Sequence, residues 1–380
     1  MIIWNAFICT LFITSLAACG AAKLTGNLAP TNDIKASPYG KLIRIADMQY
    51  RRAAHTATAL PDGRVLIIGG FSEEEDSPNG NEVYDPSARK FSSFSPLITP
   101  RHSHTATLLP DGKVLIVGGY GKGTTTLASA ELYDPATNTF QQTGSLSAPR
   151  ANHSAILLRN GKVLIAGGEG SDWTTLSSAE IYDPATGKFS TTGSMNIPGG
   201  GQGTLLQDGR VLFTGGHNGR RGHLNILKSA EVYDPATGKF SRTGDLLVRR
   251  HKHSAILLND GRVLITGGSD DRDNNGMYNS TEFYNPKTES FEAGPLMKLA
   301  RFKHGGTSVL LRNGLLLISG GALKAEVFDP KTNSFSIVPA ETGLAGSASA
   351  VAMLNDGSVL ITGGYGNGTG PRSSAWLYLP

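Results

Sequence analysis

The side chains with the clearest potential for chemistry are arginine–histidine pairs with two residues between them. Imidazole groups bind metals and titrate near neutral pH, so pairs that converge on one point could bind a metal or an anion. Because the pairs recur at regular intervals, they equally suit a structural role in which each histidine bonds a neighbouring unit or water. We keep Arg150 and His153 as candidate ligand-binding residues. The pairs are Arg52/His55, Arg101/His104, Arg150/His153 and Arg250/His253, and further histidines stand at 102, 251 and 304.

A second candidate site is an acidic segment, residues 271–276 (DRDNNG), followed after five residues by Glu282. This matches the calcium-loop pattern D-x-[DN]-x-[DN]-G-x5-E, whose alternating oxygen ligands suit a hard cation. Asp271, Asp273 and Asn275 are therefore candidate calcium ligands. Glu282, however, recurs at equivalent places in other units, so the alternative is a polar turn next to a structural glutamate. No other cofactor is expected. The equivalent residues are Glu82, Glu131, Glu180, Glu231 and Glu326.

These residues belong to a sequence unit that occurs seven times, and residues 101–146 show it most clearly. Each unit contains four short strand signals, the second of which is fully apolar and ends in a double glycine. Asp-Gly or Asn-Gly separates the first two, which predicts hairpin turns with both central residues at positive φ. Such a period predicts a repeat architecture. The double glycines are Gly69-Gly70, Gly118-Gly119, Gly167-Gly168, Gly215-Gly216, Gly267-Gly268, Gly320-Gly321 and Gly363-Gly364.

The pattern GG…[SA]-[AT]-E-x-Y-D-P…F resembles the kelch repeat over about residues 39–380. The resemblance implies an all-β, seven-bladed β-propeller of the galactose oxidase superfamily, with the first strand of each blade innermost. The last unit stops after its third strand, and residues 41–48 resemble a fourth strand with no preceding three. We therefore expect residues 41–48 to complete the last blade and close the ring.

The resemblance also suggests two enzyme comparisons. Galactose oxidase uses a copper site with a cysteine-linked tyrosine, but the only cysteines here, Cys9 and Cys19, precede the repeats. Kelch-type sialic acid epimerases work with ionisable residues in a central cavity. No acid or base stands out from the repeat pattern, and the sialidase Asp-box is absent.

The segments between the second and third strands differ from unit to unit, which marks them as the place where binding residues are added. The first is acidic (Glu73–Asp76), the third contains Trp173, and the fourth contains Arg220, Arg221 and His223. We expect these four aromatic and basic residues to contribute to ligand binding on a face with opposed charges. Solvated loop tips are the alternative.

The N-terminal segment, residues 1–18, has the apolar character of a secretory signal. It ends in Leu16-Ala17-Ala18-Cys19, which resembles the lipobox of bacterial lipoproteins. The resemblance implies lipidation of Cys19, a flexible tether over residues 19–38 and an anchor in the cell envelope. Gly20 rather than Asp after the cysteine favours the outer membrane over the inner.

The net charge of +4 is small for 380 residues, and its cations are dispersed, which argues against nucleic acid as a partner. Seven rigid units with variable loops favour a monomeric, lipid-anchored protein that binds a protein or glycan ligand. The alternative is a periplasmic sugar-modifying enzyme of the epimerase type.

Overall fold

The computed structural model describes residues 37–380, apart from residues 74–79, 200, 221–222, 341–343, 345 and 367–368. The predicted signal segment, Cys19 and most of the tether lie outside the described residues. So do most of the acidic first loop and Arg221. No helix in the described part of the chain is long and apolar enough to cross a membrane.

The described chain forms seven antiparallel sheets of four strands each, which we number as blades 1 to 7. This confirms the all-β, seven-bladed prediction. Blades 1 to 3 comprise Thr56–Ala59, Val65–Ile68, Asn81–Asp85 and Lys90–Phe94; Thr105–Leu108, Val114–Val117, Ala130–Asp134 and Thr139–Gln142; and Ser154–Leu157, Val163–Ala166, Ala179–Asp183 and Lys188–Thr191. Blades 4 to 6 comprise Gln202–Leu205, Val211–Thr214, Ala230–Asp234 and Lys239–Arg242; Ser254–Leu257, Val263–Thr266, Thr281–Asn285 and Ser290–Ala293; and Ser308–Leu310, Leu316–Ile318, Glu326–Asp329 and Ser334–Ile337.

Blade 7 is assembled from both ends of the chain. Its strands are Ala350–Met353, Val359–Thr362, Ala375–Leu379 and, outermost, Lys41–Arg44. Leu42 pairs with Tyr378 and Arg44 with Trp376. The predicted closure is therefore confirmed, with the pairing limited to residues 41–44.

The variable segments add short elements at one face. Two small hairpins follow the second strands of blades 4 and 7, and three single-turn 3-10 helices occupy the same place in blades 2, 3 and 5. The hairpins are His217–Arg220 with His223–Ile226, and Tyr365–Gly366 with Thr369–Pro371; the 3-10 helices are Lys122–Thr124, Ser171–Trp173 and Asp273–Asn275.

The core lies between the blades. The apolar second strands are buried on both sides, and each cluster of buried side chains draws on two neighbouring blades. Leu66 and Val83 of blade 1, for example, pack with Val114 and Tyr133 of blade 2. First strands of successive blades contact one another all round the ring, which makes them innermost. No blade can bury its faces alone, so the repeat specifies a closed ring.

The hairpins between first and second strands form where predicted, but their turn conformation differs from the prediction. In blade 1, Gly63 has φ +90° whereas Asp62 does not have a positive φ. The Leu60 amide donates to the Arg64 carbonyl, and the Gly63 amide donates to the Leu60 carbonyl. The loop therefore has three residues, Pro61 to Gly63, with glycine alone in the left-handed region. Asp62 instead accepts a hydrogen bond from the Arg64 amide.

Candidate functional site

The arginines of the Arg-x-x-His pairs are enclosed in the walls of the blades. Arg150 is 0% exposed and donates hydrogen bonds to the Gly167 carbonyl, to Ser178 and to Glu180. The same pairing holds in five blades, and the glutamate also accepts backbone amides from the linker before the blade. This explains why glutamate and arginine recur together: the pair fixes each linker to its blade. The pairs are Arg52–Glu82, Arg101–Glu131, Arg150–Glu180, Arg250–Glu282 and Arg301–Glu326.

The histidines of the same motif join neighbouring blades. His153 of blade 3 bonds through Nε2 to the Thr105 hydroxyl of blade 2, 2.8 Å away. Burial, followed by the charge of Arg150, lowers the pKa of His153 to about 3, so its ring is neutral. Arg150 and His153 therefore stabilise the ring of blades and are not open to a ligand. Equivalent bonds are His55–Thr362, His104–Thr56, His253–Thr214 and His304–Thr266.

A different set of residues faces the axis at the end of the ring where the variable segments lie. It is built on residues that directly follow the double glycines of blades 2 to 4, namely Tyr120, Glu169 and His217. The Tyr120 hydroxyl donates to Glu169 Oε2 over 2.5 Å, and Asn152 Nδ2 donates to the same oxygen over 3.1 Å. His217 Nε2 lies 3.3 Å from Glu169 Oε1. We call these four residues the mouth cluster.

The mouth cluster holds Glu169 as a carboxylate. Burial raises the pKa of Glu169, but hydrogen bonds from His217 and Tyr120, with the charge of His217, outweigh that effect and lower the pKa overall. Burial and the Glu169 carboxylate raise the pKa of Tyr120, so its hydroxyl stays protonated and donates. The cluster is therefore an anionic acceptor surrounded by fixed donors, with the Glu169 side chain 14% exposed.

Aromatic rings extend the mouth cluster to one side. Tyr120 contacts Trp173 and His102, with ring centroids 5.3 and 5.4 Å apart. Phe71 continues the row between His102 and Tyr365, at centroid distances of 5.7 and 6.4 Å. Trp173 is 36% exposed at the end of its 3-10 helix. This aromatic row spans blades 7, 1, 2 and 3.

Basic and acidic side chains flank the other side of the mouth cluster. His251 stacks edge-on against His217, with centroids 5.4 Å apart, and its Nε2 lies 3.2 Å from Asp273 Oδ1. Lys252 Nζ donates to the same oxygen over 2.6 Å. Burial, then the charge of Lys252, lowers the pKa of Lys303 close by.

These contacts bear on the predicted calcium site. Asp273 is paired with Lys252, and Glu282 is bound by Arg250 inside the blade. Asp271 and Asn275 are exposed on the loop surface. Across the described ranges, no three His, Cys, Asp or Glu side chains come together in a group that could hold a metal. The donors named by the calcium pattern therefore do not form a coordination site in this conformation.

A backbone hydrogen-bond ring positions the residues around the mouth. Before the first strands of six blades, two residues ahead in all but blade 6, the chain adopts a left-handed conformation. From Lys252 through to Asn152, the amide of each next such residue donates to the carbonyl of its counterpart in the preceding blade. Asn152 bonds Ser103 in this way, and Ser103 bonds Ala54. The ring thereby fixes where side chains such as Asn152 and Lys252 point. The left-handed residues are Ala54, Ser103, Asn152, Lys252, Lys303 and Ala348, with φ between 51° and 55°.

Among the predicted loop residues whose side chains the structure describes, Trp173 reaches the mouth cluster, where it contacts Tyr120. Arg220 pairs with His223 at the far end of the blade 4 hairpin, whereas His217 lies at its base opposite Ile226. His223 therefore stands three residues, or about 10 Å, along the strand from the mouth cluster.

Sequence reasoning missed Tyr120, Asn152, Glu169 and His217. A signal was present: the residue after each double glycine changes chemical type between units, although the two glycines before it are constant. At this position the seven units have Phe71, Tyr120, Glu169, His217, Ser269, Ala322 and Tyr365.

Sequence and structure comparisons agree with this architecture. The kelch motif matches residues 101–147, 149–196 and 198–247, which cover blades 2 to 4 with their linkers. The chain is a seven-bladed β-propeller that contains kelch motifs. No curated protein sequence matches it.

Two solved structures resemble this kelch propeller in fold. A fungal alcohol oxidase of the AA5 family, in complex with copper, superimposes with a TM-score of 0.68 at 14% identity, covering 91% of this chain and 77% of that one. The structure of YjhT superimposes with a TM-score of 0.59 at 16% identity, covering 77% of this chain and 99% of that one. At these identities the likeness concerns the fold, and function has to be argued from the site.

Proposed function

We propose that the protein binds a saccharide at the axial mouth of the propeller. The observation that carries this proposal is the meeting of Trp173, Tyr120, Glu169 and His217, which come from three neighbouring blades. Ligand sites combine apolar or aromatic walls with a few fixed polar groups. A sugar ring has both surfaces, with C–H groups on its faces and hydroxyls at its edge.

The mouth cluster suits sugar hydroxyls. Glu169 is an acceptor with one side chain oxygen next to His217, and Asn152 can both donate and accept. The side chains of the mouth cluster are held by hydrogen bonds to one another, and their backbone is held by bonds between neighbouring blades. Ligand binding therefore costs little conformational entropy. Trp173, which is 36% exposed, adds an aromatic surface next to these groups.

A direct test is saturation-transfer NMR with a panel of neutral, N-acetylated and acidic monosaccharides, followed by calorimetry with those that give a signal. Trp173→Ala and Glu169→Gln should each weaken binding about tenfold or more, since each removes a central contact. Leu296→Ala is the matched surface control, because Leu296 is 61% exposed and plays no part in the mouth cluster. If no sugar in the panel gives a signal, or if both variants bind like the wild type, the proposal is wrong.

Acid–base catalysis on a bound sugar is the second candidate function. It is favoured by the contact of Glu169 with two further proton-bearing groups, Tyr120 and His217. Incubation with N-acetylneuraminic acid or N-acetylated hexoses in D2O, followed by proton NMR, would reveal faster anomeric equilibration or carbon-bound deuterium. Glu169→Gln should abolish either change. If a sugar binds but is not chemically changed, the catalytic function is excluded and saccharide binding alone is supported.

We further propose that lipid-modified Cys19 anchors the propeller in the bacterial cell envelope. Because Gly20 rather than Asp follows the cysteine, the outer membrane is favoured over the inner membrane. The tether over residues 19–38 would allow a monomeric propeller to turn its mouth toward glycan in its surroundings.

A further inference from the structure

On the face opposite the mouth cluster, hydrogen bonds tie the outer turn of one blade, between its third and fourth strands, to the blade before it. The Tyr182 hydroxyl of blade 3 bonds the Thr143 hydroxyl of blade 2 over 2.8 Å, and the Gly144 amide donates to the Gly187 carbonyl. The next two interfaces are tied in the same way. Their partners are Thr192 with Tyr233, Gly193 with Gly238, Thr243 with Tyr284 and Gly244 with Glu289.

The interface between blades 5 and 6 lacks the groups that make these bonds. Phe328 of blade 6 stands in the register of Tyr182, so it has no hydroxyl to offer. Gly294 of blade 5 takes the place of Thr143, since the amide of each donates to the first residue of its own third strand. Pro295 follows and has no amide hydrogen. The outer turn of blade 6 is therefore not tied to blade 5 in this way.

A cleft lies between blades 5 and 6 on this face. Its volume is about 440 Å³, which is within the range of pockets that hold small molecules. Its walls are the hairpins between the first and second strands of both blades and the outer turn of blade 6, all within the described part of the chain. We call it the basal cleft. Its apolar lining includes Leu258, Leu315 and Pro330, and its charged lining includes Asp260, Asp329 and Lys331.

The two carboxylates of the basal cleft differ in their partners. Asp260 is paired with the guanidinium of Arg262 at 2.8 Å. Asp329 accepts the Lys331 backbone amide through Oδ1 at 2.9 Å, but no lysine or arginine side chain in the described part of the chain pairs with it. Asp329 is therefore an anionic group, beside an apolar wall, that can accept a cation.

Blades 2 and 3 show which cation suits this position. In both, the residue before the second strand is a lysine that pairs with the aspartate at the end of the third strand. Lys113 Nζ lies 3.7 Å from Asp134 Oδ2, and Lys162 Nζ lies 2.9 Å from Asp183 Oδ2. The register of the strands places Leu315 at the lysine position of blade 6. Blade 6 therefore has the aspartate without the ammonium.

We propose that the basal cleft binds a primary alkylammonium group from outside the chain, with the ammonium on Asp329 and the alkyl chain against Leu258 and Leu315. Ammonium is favoured over guanidinium because the arginines of blades 1, 4 and 5 pair with an aspartate of the first hairpin, where blade 6 has Asn313. The source is either the lysine side chain of a peptide or a small amine. The basal cleft is separate from the mouth cluster, so this inference does not depend on the saccharide proposal.

Saturation-transfer NMR with n-butylammonium chloride, whose cation has the length of a lysine side chain, tests this inference. The comparison ligands are 1-butanol, which has the alkyl chain without the charge, and n-propylguanidinium, which has the length of an arginine side chain. All titrations are made at equal ionic strength, because salt screens exposed charges. We expect a saturable signal from n-butylammonium, and an affinity at least about fivefold lower for each comparison ligand, because neither provides an ammonium group to Asp329.

Variants of the basal cleft connect the signal to Asp329. Asp329→Asn should weaken binding about fivefold or more, because a charge-assisted hydrogen bond is lost, and blade 5 already has Asn285 at the equivalent position. Leu315→Lys should abolish binding, since the chain would then provide its own ammonium as in blades 2 and 3. Asp183→Asn is the matched control, because that aspartate is already paired with Lys162, and it should leave binding unchanged.

A further ligand distinguishes the two sources. If Nα-acetyl-lysine amide binds, a lysine side chain of a peptide enters the basal cleft; if it fails where n-butylammonium binds, the cleft takes small amines only. The proposal is overturned if n-butylammonium gives no saturable signal, if either comparison ligand binds equally well, or if Asp329→Asn and Leu315→Lys both bind like the wild type. Binding seen in Lys331→Ala but not in the wild type also overturns it, because Lys331 would then be the partner of Asp329.

Discussion

The buried Arg101–Glu131 pair allows a quantitative test of how the blades are held together. The side chains are 0% and 1% exposed, and Arg101 Nη2 lies 2.7 Å from Glu131 Oε1. Arg101 also donates to the Gly118, Ser129 and Thr99 carbonyls. Arg101→Met keeps most of the aliphatic volume but leaves a buried carboxylate unpaired, which should cost about 3–5 kcal/mol in the free energy of unfolding.

The double variant should recover part of that loss. In Arg101→Met/Glu131→Gln the uncompensated charge disappears, so we expect a coupling energy of about 2–3 kcal/mol between the two changes. The exposed pair Lys162–Asp183, at 2.9 Å, provides the control cycle and should give a coupling below about 1 kcal/mol.

Equilibrium urea unfolding is measured for the seven proteins of the two cycles, which share the wild type. It is followed by tryptophan fluorescence because Trp376 is 1% exposed inside blade 7. Additive single changes at Arg101 and Glu131, or a cost below about 1 kcal/mol for Arg101→Met, would refute the view that an unpaired glutamate is costly here.

Four further predictions concern the interblade histidines, the closing strand, the acidic loop of blade 5 and the N-terminal cysteine. Burial lowers the pKa of the interblade histidines, to about 3 for His153 and His304, so below about pH 6.5 the unfolded chain takes up protons and the folded chain does not. The free energy of unfolding should therefore fall toward pH 3 by up to about 1.4 kcal/mol per pH unit for each histidine. Urea unfolding at several pH values measures this slope, and His153→Gln should reduce it by the contribution of one histidine. Leu42→Asp places a charge at a 2% exposed position of the closing strand, and should lower the melting temperature by several degrees more than Lys41→Asp at an exposed position of the same strand, as calorimetric scans can measure. Calcium titration should give no saturable heat, because Lys252 already pairs with Asp273, and radiolabelled palmitate should enter the wild type but not Cys19→Ala; saturable calcium binding or label in the variant contradicts the respective prediction.

The repeat made the fold predictable, including the closing strand. Seven copies of one sequence pattern indicate seven similar units, each of which has to bury its apolar faces against its neighbours. Recurrence also separated Glu282 from a calcium role, since a residue present in nearly every blade serves the blade. The conformation of the turn at Asp62-Gly63 was harder to predict from the sequence. Asp-Gly occurs in both two- and three-residue hairpin loops, and only the backbone hydrogen bonds distinguish them.

The mouth cluster could not be assembled from sequence alone. Tyr120, Glu169 and His217 are each separated by a whole blade along the chain, and they meet because the left-handed linkers and the second strands converge near the axis.

Because blade 7 combines strands from both ends of the chain, it cannot form until synthesis is nearly complete. At typical rates of translation, the strand Lys41–Arg44 emerges roughly 20–70 s before its partner Ala375–Leu379. During that interval it is a short β-prone segment without a neighbour, and such segments associate with other nascent chains. Lys41 and Arg44 place a positive charge at each end of the two apolar residues between them. Repulsion between these charges opposes pairing with a second copy of the same strand until the C-terminal strand has been synthesised.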